Sequence, residues 1–159
     1  MAKKYLLCRQ EKDNWCLPAC LESVLKSRGF FISQSQISEK LVVNNGCDLS
    51  VGLLDKFLKE YNLKCRFSNP NLDYESDLVL KEELNDKNDV LVAYNYQELH
   101  KIRNSVGKHI SIVQEYNSLS DEVRLIDPSR ENAVNVQLID LNNAILYRLD
   151  SRYGFYIIN

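Results

Sequence analysis

Apolar residues in the first half of the chain recur at helical spacing. Leu17, Cys20, Leu21, Val24 and Leu25 share one face of a segment running from Cys16 to about Arg28, and Gly29 supplies a C-terminal stop. Ser33 with Gln36 has the form of a capping box and opens a short helix through Leu41. Ser50 starts a further helix with Leu53, Leu54, Phe57 and Leu58 on one side, and Ser76 to Asn85 is again amphipathic. Tyr5 to Cys8 and Leu63 to Phe67 read as short strands, and Asn69-Pro-Asn-Leu-Asp73 as a turn.

The pattern changes in the second half. Val90 to Tyr94 is a compact apolar run suited to a buried strand. Ile110 to Tyr116, a polar turn at Asn117 to Asp121, and Val123 to Ile126 predict a hairpin. Val134 to Leu138 adds a strand, Asp140 caps a helix through Leu149, and Phe155 to Ile158 closes the sheet. Helices first and an antiparallel sheet after is an α+β pattern, with N-terminal helices packed on a C-terminal sheet. No repeat or linker divides the 159 residues, so residues 1–159 are read as a single domain.

Composition removes several functions. Hydrophobic residues make up 45% and charged residues 26%, ordinary for a globular protein. A formal net charge of −2 with no basic run gives no footprint for nucleic acid. No stretch reaches the roughly 20 apolar residues of a membrane span, and the N-terminal Met1 to Cys8 is too short for a signal peptide. A cytoplasmic location without membrane insertion is the expectation. The five cysteines, Cys8, Cys16, Cys20, Cys47 and Cys65, are an odd set without framework spacing and are read as free thiols.

Chemistry gathers at three separated places. In Gln10-Glu-Lys-Asp-Asn-Trp-Cys16, the cysteine stands at a predicted helix start, where unpaired N–H groups and the dipole favour thiolate. Pro18 fits the first turn of that helix. The Cys16 N–H and the Gln10 amide are donors suited to an oxyanion. Taken singly, Cys16 is an ordinary buried thiol and Gln10 a solvated loop residue. Their spacing before an apolar helix changes that weight. His109, entering a strand in Gly107-Lys-His-Ile-Ser, is the base such a thiol needs from elsewhere in the fold, although a lone histidine there is commonly structural. His100, in a polar stretch, is read as exposed and inert. Asp127 in Leu125-Ile-Asp-Pro128 closes the hairpin at the end where His109 enters it, within reach of the imidazole; its bland reading is a turn opener. A zinc site using Cys16 and Cys20 matches no standard spacing.

Gln10-x5-Cys16-x2-Ala19-x-Leu21-x2-Val24-Leu25 with Gly29, then His109-x2-Ile112-Val113, then Ile126-Asp127-Pro128, resembles the bacteriocin-processing peptidases. These are papain-like, double-glycine leader peptidases, found fused to peptide-exporting ABC transporters and as free-standing relatives. The resemblance implies a papain-like cysteine proteinase fold in a free-standing domain. It implies a cysteine peptidase with Cys16 as nucleophile, His109 as general base, Asp127 as orienting acid and Gln10 at the oxyanion. A peptide or protein would be the substrate, with no cofactor and no metal. The family usually carries Asp-Cys-Gly where this chain has Trp15-Cys16-Leu17-Pro18, which separates the resemblance from Gly-Gly specificity. Trp15 either lines the cleft or packs beneath it. Two other uses of the same framework stay open: acyl or amide transfer through the same thioester, and peptide binding without turnover.

Overall fold

The computed structural model describes residues 3–41, 50–70, 75–103 and 107–159, without the side chains of residues 75 and 149. Nine of the residues from Cys16 to Leu25 are buried, and they make the inner face of α1 (Cys16–Ser27). α2 (Gln34–Leu41) opens on the expected capping box: Gln36 N–H donates to Ser33 Oγ at 3.2 Å and Ser33 N–H to Gln36 Oε1 at 3.0 Å. α3 (Val51–Lys59) is capped by the Ser50 hydroxyl, and β1 (Cys65–Ser68) follows it. The Asn69-to-Asp73 turn lies partly outside the described residues.

α4 (Glu75–Asn85) leads into β2 (Asp89–Asn95), whose seven residues are all buried. Then come α5 (Tyr96–His100), β3 (Lys108–Asn117), β4 (Glu122–Ile126), β5 (Val134–Gln137), α6 (Leu138–Leu146) and β6 (Gly154–Ile158). The strands form one sheet in the order β1-β6-β2-β3-β4-β5, and every pairing is antiparallel. The α+β class therefore holds, with β1 and β2 set among the helices and α5 and α6 set among the strands. β6 does close the sheet in chain order, yet in space it lies between β1 and β2, which is why all five of its residues are buried.

Three local expectations change. Tyr5 to Cys8 forms no strand. Side-chain bonds tie this segment down instead: Tyr5 Oη donates to Asp89 at 2.6 Å, Gln114 Nε2 to Lys3 O at 3.2 Å, and Cys8 N–H to Ser23 Oγ at 3.0 Å. Asp89 is fully buried and also meets Lys3 Nζ and Arg28 Nε, so its charge is compensated. α6 begins at Leu138, with Asp140 in its first turn rather than at its cap, and ends at Leu146 before a short 3₁₀ turn. The polar stretch Tyr96 to His100 is helical, started by Asn95 Oδ1 accepting from Glu98 N–H at 2.9 Å.

α1 packs on β3 and against α2, so the helix that starts at Cys16 crosses the middle of the sheet. Cys20, one turn further on, lies with its Sγ 3.6 Å from Ile110 O. That contact sets the start of α1 toward the end of β3 that carries His109.

Gly154 has φ +148°, and a Cβ there would stand 2.6 Å from Ser68 O, on the neighbouring β1. Gly29, φ +86°, has nothing within 4 Å of the same atom. Gly154→Ala must move backbone as well as adopt a strained φ, whereas Gly29→Ala costs conformational strain alone, about 1 kcal/mol. Urea unfolding should show Gly154→Ala the more destabilised by a further 1 kcal/mol or more, by the usual cost of overpacking (roughly 1–3 kcal/mol). Equal losses in the two variants would contradict the close β1–β6 approach.

Candidate active site

The β3–β4 register decides which side chains can meet. Ile112 pairs with Ile126, so Asp127, one step on, continues opposite Ser111, with His109 on its diagonal. Diagonal partners on one sheet face are within reach of long side chains. The bond forms: His109 Nε2 and Asp127 Oδ1 are 2.7 Å apart, with the two residues 8% and 2% exposed. With Nε2 engaged by the carboxylate, the neutral imidazole keeps its proton there and leaves Nδ1 as the basic nitrogen.

Asp127 is also the turn opener that its Asp-Pro sequence suggests. Ser129 donates to Oδ1 from both N–H (2.9 Å) and Oγ (2.6 Å), and Arg130 N–H donates to Asp127 O at 3.0 Å. The second oxygen, Oδ2, is buried without a hydrogen bond among the described residues, 3.5 Å from Arg130 Nε. Burial alone would raise the pKa of this carboxyl. The bond and charge of His109, with the two Ser129 donors, outweigh it and hold the pKa at about 2.

Three aromatic and basic residues surround this pair and carried no signal in the sequence. The Tyr96 ring stands edge-on to His109, centroids 4.9 Å apart, and Tyr94 does the same at 5.8 Å. Arg130 Nη2 donates to Tyr96 Oη at 3.0 Å. His100 is half-buried rather than exposed, with its ring 4.4 Å from that of Tyr96. Burial first, then the Arg130 charge, push its pKa down to about 4, so it is neutral at neutral pH. Only the Asn95 cap before Tyr96 could have shown that this stretch turns back over the strand end.

Cys16 occupies the first position of α1 and is 1% exposed. It is disulfide-bonded, which corrects the expectation of free thiols throughout. Cys8, Cys20 and Cys65 are free, and Cys47 lies outside the described residues. Burial pushes the pKa of each free thiol up, Cys20 well up and Cys65 to about 12. Trp15 stands at the helix cap, part-exposed, with Lys12 Nζ 4.2 Å from its ring centroid.

Gln10 reaches the same end of the sheet through its backbone, whose N–H donates to Pro128 O at 2.9 Å. Its side-chain Nε2 donates to Asp13 O at 2.9 Å, inside the loop that leads to Cys16. A primary amide has two N–H donors, so one stays available after that bond. The three separated sequence segments are thus adjacent: α1 lies on β3, His109 is bonded to Asp127, and the Gln10 loop is tied to the residue after Asp127. No three His, Cys, Asp or Glu side chains form a metal-ligating group among the described residues. Among them, too, no helix is long and apolar enough to cross a membrane.

No family model and no curated protein matches the chain. Solved structures do. A double glycine motif protease from an AMS/PCAT transporter, solved in complex with its leader peptide, superposes with TM-score 0.68 at 14% identity, over 98% of this chain and 91% of that one. The peptidase domain of Streptococcus ComA, a bi-functional ABC transporter of a quorum-sensing pathway, superposes with TM-score 0.64 at 18% identity, over 97% and 96%. The chain has the papain-like fold of double-glycine peptidase domains. Both superpositions run nearly the whole length of each chain, so the likeness is to the complete domain and not to a shared core.

The depressed Asp127 pKa ties stability to pH. A carboxyl held below its unfolded value stabilises the fold above the unfolded pKa, near 3.8, and loses that contribution as pH falls toward about 2. Asp127→Asn should therefore unfold more easily than the wild type at pH 6, by on the order of 2 kcal/mol, with the gap closing toward pH 2. Urea titrations of both proteins across that range measure it; a gap independent of pH would mean that the charge contributes nothing.

Proposed function

We propose that this chain is a cysteine peptidase that cleaves a peptide bond through a thioester on Cys16. The observation that supports the reading is the buried His109–Asp127 bond, next to Ile110 of β3, which Cys20 of α1 touches one turn after Cys16. His109 Nδ1 takes the Cys16 proton, and the helix N-terminus favours the resulting thiolate. Sulfur attacks the scissile carbonyl. The oxyanion that forms is met by the Cys16 N–H and by the second N–H of Gln10 Nε2. Collapse breaks the C–N bond, and the leaving amine takes the proton back from His109. Water, deprotonated by the same imidazole, then hydrolyses the thioester and releases the acid. Asp127 holds the ring and stabilises the imidazolium between these steps.

The protease from the AMS/PCAT transporter holds a leader peptide, and the same chemical class, an extended peptide, is the substrate proposed here. A cytoplasmic site of action accords with that reading.

Two outcomes test it. First, the disulfide on Cys16 must be reduced before the residue can act. Limiting iodoacetamide and peptide mapping should leave Cys16 unlabelled without reductant. After dithiothreitol it should be labelled ahead of Cys8, Cys20 and Cys65, whose thiols burial holds protonated. Labelling of Cys20 or Cys65 before Cys16 would remove the nucleophile from this account.

Second, turnover of a fluorogenic peptidyl-aminomethylcoumarin, selected by screening a peptide library with the reduced wild type, should vanish in Cys16→Ala and nearly vanish in His109→Ala. Asp127→Asn should be milder, because an amide still orients the imidazole. Gln10→Ala should lose roughly a hundredfold in kcat, the usual effect of one oxyanion donor, with KM little changed. Full turnover in Gln10→Ala or His109→Ala would show the site to be drawn wrongly.

A further inference from the structure

Gln34, the first residue of α2, is 1% exposed. Its amide bonds mainly to the loop that carries Gln10. Nε2 donates to Arg9 O at 2.6 Å and to Glu22 Oε2 of α1 at 2.9 Å, while Oε1 accepts from Glu11 N–H at 3.0 Å. Arg9 and Glu11 flank Gln10 on either side. A buried glutamine therefore clamps the peptide units before and after Gln10 and fastens both to the helix that begins with Cys16. Without it, the main chain from Arg9 to Glu11 keeps the Gln10–Pro128 bond, with the Cys8–Ser23 bond upstream, and the Gln10 and Arg9 side chains keep their contacts to Asp13 O and Glu131.

We infer that Gln34 is a positioning residue for the oxyanion side of the site: it sets where the Gln10 amide stands relative to Cys16, and so acts on kcat through Gln10. The inference rests on the peptidase reading and adds to it a residue that never touches substrate. An oxyanion donor works only when aimed within a few tenths of an ångström at charge that appears during attack, so loosening its loop should cost rate and spare ground-state binding. Gln34 meets neither His109 nor Asp127 in any described hydrogen bond, so thiol deprotonation should not depend on it.

A double-variant cycle with the same library-selected fluorogenic peptide tests this on the reduced full chain. Gln34→Leu should lower kcat by roughly 10- to 100-fold, bounded by the loss in Gln10→Ala, with KM nearly constant. In the Gln10→Ala background the same change should cost about twofold or less, because the group it positions is gone. The rate of Cys16 alkylation by iodoacetamide, which forms no oxyanion, should stay at the wild-type value in Gln34→Leu. Gln34→Asn keeps the amide on a side chain one methylene shorter and weakens all three bonds without adding charge, so its kcat should fall between wild type and Gln34→Leu. It carries the same cycle if Gln34→Leu does not fold. Losses that multiply in the double variant, alkylation slowed in step with turnover, or full kcat in Gln34→Leu each overturn the inference while leaving the peptidase reading intact. Absence of peptide cleavage by the wild type, or full activity of Gln10→Ala, would instead overturn both.

Discussion

An ionised carboxylate sits almost out of contact with water at Asp127, and the arrangement around it is what such a charge demands. Left unpaired in the interior it would cost several kcal/mol. His109 and Ser129 converge on Oδ1, and the Arg130 guanidinium stands 3.5 Å from Oδ2, so the charge is compensated. That requirement fixes the register at the open end of the β3–β4 hairpin. It also fixes the tautomer of the imidazole and, through the Pro128 carbonyl, one anchor of the Gln10 loop. The ring edges of Tyr94 and Tyr96 then exclude water from one side of the imidazole.

A second buried acid does comparable work at the other end of the sheet. Asp89 gathers Lys3, Tyr5 and Arg28, and so binds the N-terminal segment and the end of α1 to β2. Between these two carboxylates the N-terminal segment runs along α1 without a strand ladder. Hydrogen bonds from side chains to its backbone, those of Ser23 and Gln34 above all, replace the ladder. A segment held this way can place one residue finely, because each tie is short and directional. It gains little from cooperativity, because no tie supports the next.

The periodic parts of the fold were legible in the amino-acid sequence. α1, α2, α3 and α4, the buried run of β2 and the β3–β4 hairpin all follow from apolar spacing and caps, which depend on neighbours three or four residues away. The residue types of the candidate site were legible for the same local reason: a cysteine at a helix start, a histidine at a strand entrance, an aspartate before a proline. The likeness to double-glycine peptidases was carried by those residues and by little else, and no family model matches the chain.

Other features depended on tertiary packing. β6 reads in sequence as a strand that closes the sheet, yet it is threaded between β1 and β2, and nothing local distinguishes an edge from a centre. Arg130 looks like a surface residue in a polar context, and only the fold brings it to Tyr96, 34 positions earlier, whereas His100 meets Tyr96 as an i, i+4 pair once α5 forms. Gln34 reads as a helix-opening polar residue until the loop 25 positions earlier folds onto it. The oxidation state of Cys16 is likewise invisible to spacing rules, since a disulfide depends on which Cβ atoms the fold brings together. Short-range periodicity and residue type were thus set by the sequence alone. Partner choice across the sheet was set by the fold, because hydrogen bonds and charge compensation act over distances in space that chain separation does not encode.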